Sequence, residues 1–203
     1  MHPQAYSAWR SPLFLARGEW LQSDRETGDR LLAILDKEHP SDITYTEIEK
    51  LPCQDLHAID FLWVKYSRGS FGFSRQKRIY ETLGGTAKSD RATWEAFGDR
   101  TGWRVGDRWL EYPELTINLS TKAGQFPSFP LFSPSAIDLE NRATPLMRNG
   151  LVLFSRLETC QIDNLAKFSS NSPRKFGIIP KLIDPAQFQS EVRKVYLSHS
   201  KYQ

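Results

Sequence analysis

The chain has 203 residues, 39% hydrophobic and 12% aromatic, which suits one packed domain with appendages rather than a disordered or fibrous protein. Lys and Arg number 27 against 24 Asp and Glu, a net charge of +3 that carries no nucleic-acid signature. The opening residues lack the apolar core of a signal peptide, and no apolar run approaches the ~20 residues needed to cross a bilayer, so a soluble protein is expected.

In chain order, we expect a leader (1–11), a compact body (12–160) and a C-terminal extension (161–203). Ser11-Pro12 reads as an N-cap followed by Pro at the first helical position. Leu13, Ala16 and Trp20 begin an apolar stripe that Gly18 interrupts. Ser23 to Glu26 has the form of a capping box, and Leu31, Leu32, Ile34 and Leu35 line the helix it opens, which predicts a short antiparallel helix pair. The run His39-Pro40-Ser41-Asp42 breaks the chain. Thr44 to Glu47 forms a second capping box, opening a helix that ends near Pro52.

The segment 55–80 is the most informative stretch. Asp55 is the expected N-cap, and Leu56, Ile59, Leu62, Trp63 and Tyr66 share one helical face. Gly69 is expected at the left-handed position just past the helix end. Phe71, Gly72 and Phe73 make an aromatic corner, and Arg75 to Tyr80 opens a second helix ending at Gly84-Gly85. Ser89 is expected to cap a helix bearing Trp94 and Phe97. About six helices thus fill the first hundred residues, so the fold class is mainly α.

After Gly98 the texture changes. Val105 to Trp109 suits a tight hairpin or an extended excursion. Pro127, Pro130, Pro134 and Pro145, with Pro113 just before them, predict a long surface loop over 120–145. Residues 151–160 read as a short apolar closing element. The extension 161–203 holds seven Lys/Arg and three acids, so the basic balance of the chain comes from its end, and Asp184 caps an expected terminal helix. Cys53 and Cys160 are expected as small buried hydrophobes in a reducing compartment, not as a disulfide framework.

Enzyme chemistry finds little support. The four histidines are scattered, and His57 reads as a packing or surface residue. No zinc, calcium, phosphate-loop or nucleophile-elbow spacing is present. Gly69 to Gly72 lacks the Lys and the preceding strand of a phosphate cradle. No metal or catalytic residue is expected. A helical body with many aromatics, two interrupted segments and nearby arginines suits a flat apolar ligand bearing carboxylates, and equally an ordinary helical interaction module.

The wording DLHAIDFLWVKYSRGSFGFSRQKRIY resembles the genomes-uncoupled-four family, as do GEWLQSDRETGDRLL, YTEIEKLPCQDL, FGDRTGWR, WLEYPELTINLS and FSRLETC. The likeness covers roughly residues 12–160 and is of the cyanobacterial type. It implies a cupped helical hand, with two flexible loops over an apolar palm behind a short helix pair. It implies a non-enzymatic binder of protoporphyrin IX or Mg-protoporphyrin IX, held non-covalently, that regulates magnesium chelatase and chlorophyll biosynthesis. It also implies the chelatase large subunit as a partner and a home in the cytoplasm or plastid stroma, with any membrane contact peripheral. No nucleic-acid partner is expected.

The ligand residues implied are Tyr45, Ile48, Ile79, Tyr112, Asn141, Arg142 and Arg148. Two departures stand out. The family's loop begins Gly-His-Leu-Pro, where this chain has Gly124-Gln125-Phe126-Pro127, and residues 128–136 carry no cation. Gly28 stands where the family has a ligand-contacting Arg, with Arg25 and Arg30 nearby. These departures open an alternative: a module that binds an open-chain bilin, or no tetrapyrrole, and works in protein interaction or signalling.

Overall fold

The chain is mainly helical in this computed structural model, which describes residues 11–88, 90–115, 121–128 and 143–163. Its helices are α1 (Ser11–Arg17), α2 (Trp20–Leu35), α3 (Tyr45–Ile48), α4 (Cys53–Tyr66), α5 (Phe73–Thr82), α6 (Arg91–Thr101) and α7 (Ala143–Thr159). A hairpin of β1 (Arg104–Val105) and β2 (Arg108–Trp109) comes after α6. Gly106 and Asp107 at its tip have φ of +56° and +64°, the two positive values that a twisted two-residue hairpin turn needs.

α4 organises the packing. Its apolar face is buried as its periodicity predicts, and Asp55, His57 and Asp60 are buried too, so the helix is enclosed nearly all round. α1 packs on α2 and α4, α3 on α7, and α5 on α4, α6 and α7. Two aromatic groups fill the core. Trp20, Trp63, Phe71 and Phe126 form one, with Phe126 stacked on Trp63 at 6.1 Å. Tyr80, Trp94, Phe97, Trp103, Trp109 and Phe154 form the other.

Several boundaries differ from expectation for local reasons. α2 starts at Trp20 and runs through Ser23, which is no cap. The Ser23 and Thr27 hydroxyls instead donate to carbonyls one turn back, and Thr27 Oγ1 also accepts from Trp63 Nε1 at 3.1 Å. Tertiary contact makes use of these hydroxyls inside the helix. α4 begins at Cys53 with Pro52 as its cap, so Asp55 lies in the first turn, paired with Arg30 at 3.2 Å. At its other end Gly69 is left-handed as predicted (φ +79°), Arg68 before it is left-handed too (φ +55°), and the Gly69 N–H returns to Val64 O. Asp90, not Ser89, caps α6 by accepting from Thr93 N–H. The expected loop ends before Pro145, since α7 starts at Ala143 and accommodates proline in its first turn. The closing element 151–160 is therefore the second half of a 17-residue helix.

The largest correction concerns the cysteines. Cys53 and Cys160 form a disulfide across a sequence separation of 107. α3 on α7 brings the start of α4 to the end of α7, so the two thiols meet. Residues 1–10 of the leader and the predicted terminal helix lie outside the described residues, and Ser11 opens α1.

At the aromatic corner the backbone leaves no choice of residue. Gly72 has φ of +124°, and a Cβ there would sit 2.8 Å from Val64 Cγ2 and 2.9 Å from an Asp60 oxygen. The Asp60 carboxylate accepts the Ser74 N–H at 2.8 Å, which fixes the start of α5 against α4.

Candidate functional site

The first of the two predicted ligand loops ends in α3, a single turn anchored by buried Ile43, Ile48 and Leu51. The predicted backbone capping box is replaced by a side-chain cluster. Thr44 and Thr46 hydroxyls donate to Glu47 Oε2 at 2.7 and 2.8 Å, and Lys50 Nζ donates to Oε1 at 3.0 Å. These bonds, Thr44 first, hold the Glu47 carboxyl down at about 2. Tyr45 turns outward, 39% exposed, and the Arg148 guanidinium of α7 lies 4.5 Å above its ring. Arg156 Nε donates to Leu51 O at 2.9 Å, a second tie between α7 and this segment.

The second loop is fixed at its base. Between residues 121 and 128 the Gly124 N–H donates to Ser70 O, and Phe126 O accepts from the Gly72 N–H. Gln76 Nε2 donates to both Gly124 O (3.0 Å) and Pro127 O (2.7 Å), and Trp103 Nε1 donates to Gln125 O. Asp24, only 1% exposed, accepts from both the N–H and the hydroxyl of Ser128 at 2.7 and 2.5 Å. A run predicted as open surface loop is thus built into the core up to Ser128.

The predicted ligand residues fall into two groups. Tyr45, Ile48 and Arg148 meet at the α3–α7 seam, with Ile48 fully buried. Ile79 and Tyr112 flank the anchored segment. Ile79 Cδ1 would lie 2.6 Å from a Cβ on Gly124, which has φ of +81°, so Ile79 is covered and packs as core. The Tyr112 hydroxyl is enclosed near Asp24 and Arg25, and burial, then the Asp24 carboxylate, pushes it above the ordinary phenol range. Asn141 and Arg142 lie outside the described residues. Of the two arginines near Gly28, Arg30 is committed to Asp55 and Arg25 is exposed.

Sequence reasoning did not find Asp24, Gln76 and Ser128, which fasten the second loop. Asp24 was hidden inside a pattern that reads as a helix cap. Gln76 showed only as a polar residue among cations. No group of His, Cys, Asp and Glu that could hold a metal ion occurs among the described residues.

Residues 4–137 match the GUN4-like family. The chain belongs to that family. A Ycf53-like protein of Synechocystis is 38% identical over 84 residues, covering 41% of this chain and 33% of the relative. An uncharacterized ycf53 protein of Pyropia yezoensis is 32% identical over 120 residues, 58% of this chain and 48% of its own length. The chloroplastic tetrapyrrole-binding protein of Arabidopsis thaliana is 34% identical over 68 residues, 32% of this chain and 26% of its own length. The chain therefore spans at most about half the length of these curated relatives. Ligand-free Arabidopsis GUN4 aligns with 70% of this GUN4-like chain and 91% of its own, at 22% identity and a TM-score of 0.48.

Proposed function

We propose that this GUN4-like protein binds a tetrapyrrole, protoporphyrin IX or its magnesium derivative, without covalent attachment, and regulates magnesium chelatase rather than catalysing a reaction. The observation that carries this reading is family membership over residues 4–137, together with a relative named for tetrapyrrole binding. The α3–α7 seam supports it chemically. Tyr45 offers an exposed aromatic face, and Arg148 beside it offers a cation for a propionate. Ile48, Ile79, Tyr112, Asn141 and Arg142 complete the proposed ligand set within a unit spanning residues 12–160. The chelatase large subunit is the proposed partner.

Titrating protoporphyrin IX while following tryptophan emission and the Soret band tests the binding. Saturable quenching with a Soret shift is expected, and the absence of both would sink the proposal. Addition to a reconstituted chelatase should raise the rate of magnesium insertion. A second reading, a bilin ligand, draws on the cation-free run 128–136, since an open chain places its carboxylates differently. Tighter saturable binding of biliverdin than of protoporphyrin would favour it.

A further inference from the structure

Arg75 differs from other partly buried or engaged cations of the body. Arg30 pairs with Asp55, Lys77 with Glu81 and Glu158, and Arg148 lies on Tyr45. Arg75 makes no ion pair or hydrogen bond among the described residues, yet it is half-buried and its Nε is shut away from solvent. A guanidinium N–H enclosed without an acceptor has lost its water and gained nothing in return. The neighbouring Ser74 hydroxyl, on a residue 4% exposed, is enclosed and unpartnered in the same way.

Its position adds to the anomaly. Arg75 is the third residue of α5, whose first turn holds no acid. Aligned peptide dipoles make a helix N-terminus positive, so a cation is unfavourable there unless an anion faces it. The Asp60 carboxylate takes the Ser74 N–H, but it forms no ion pair with Arg75. Helical spacing puts Arg75 on the same side of α5 as Ile79, the side that Gly124 covers. Gln76, the next residue of α5, holds Gly124 and Pro127, so Arg75 adjoins in sequence the residue that fastens the loop whose next stretch, 128–136, has no cation.

We infer that Arg75 is a carboxylate-binding residue of the ligand site. Its forked guanidinium receives a carboxylate of the planar ligand and supplies the cation that residues 128–136 lack. This inference rests on the tetrapyrrole reading above and adds a specificity-determining residue to it.

The test compares protoporphyrin IX with its dimethyl ester, which keeps the ring and removes both charges. Wild type should prefer the acid by about tenfold or more, the scale of a charge-assisted pair. In R75Q that preference should fall at least about threefold, and what remains reports the carboxylate held by Arg148. R75K keeps the charge but loses the fork, and should give an intermediate ratio. Because each ratio is taken within one variant, a general loss of affinity cancels. If R75Q does not fold, R75K decides, and a wild-type ratio there overturns the assignment. A wild-type ratio in R75Q overturns it too, and leaves the tetrapyrrole reading intact. If wild type binds neither compound saturably, the tetrapyrrole reading falls and this inference falls with it.

Discussion

Replacing Cys53 and Cys160 together by serine should lower the stability of the fold by about 2–5 kcal/mol. The magnitude comes from the size of the loop, since the bridge spans a sequence separation of 107. Loop-closure entropy for a crosslink of that size is about 4.7 kcal/mol near room temperature, and native contacts that persist in the denatured chain reduce it. In the folded state Arg156 Nε donates to Leu51 O, which ties the same two segments and does not depend on the bridge. With a urea slope of about 2 kcal/mol/M, the midpoint should fall by roughly 1–2.5 M. Tryptophan emission reads the transition directly, because Trp63, Trp94 and Trp103 are fully buried. Equal midpoints for the oxidised wild type and the double variant would refute the reasoning. So would two freely titrating thiols in unreduced protein.

Gly150→Ala should destabilise the fold by about 1–3 kcal/mol despite alanine's better helix propensity, since the added Cβ would sit 2.2 Å from Trp94 Cη2; thermal denaturation measures it. Thr27→Val leaves the buried Trp63 Nε1 without its acceptor and should cost about 1–3 kcal/mol in a urea melt. Glu47 should titrate by NMR near 2 instead of its ordinary 4.5, and Thr44→Val should raise that midpoint. Because the folded value is depressed, the stabilisation by Glu47 is complete above about 4.5 and is lost as pH falls towards 2. A midpoint near 4.5 in the folded protein would contradict the side-chain cluster at α3.

The helix–corner–helix of residues 53–82 was legible because local signals agree there: a single apolar face, a left-handed stop and a glycine corner. Its start slipped by three residues, since Pro52 does the capping that Asp55 seemed placed to do, and at its end Arg68 shares the left-handed stop with Gly69. Ser23 misled because the hydroxyl that caps a helix can also bond back within one, and only Trp63 across the core shows which occurs. The disulfide and the Tyr45–Arg148 pair depend on α3 meeting α7 about a hundred residues later, which no local pattern encodes. Arg75 was visible as a letter but not as a site. Its significance lies in what fails to face it, and that needs coordinates.

The double hydrogen bond from Gln76 bears on how this scaffold tolerates change. With Gly124, Phe126, Pro127 and Ser128 each fastened to the body, and α7 resuming at Ala143, residues 129–142 begin and end at two surveyed posts. The body therefore fixes where this loop leaves, at Ser128, and where the chain resumes, at Ala143. Changes at Gln76 or Ser128 therefore move the start of that loop as well as the packing beneath it.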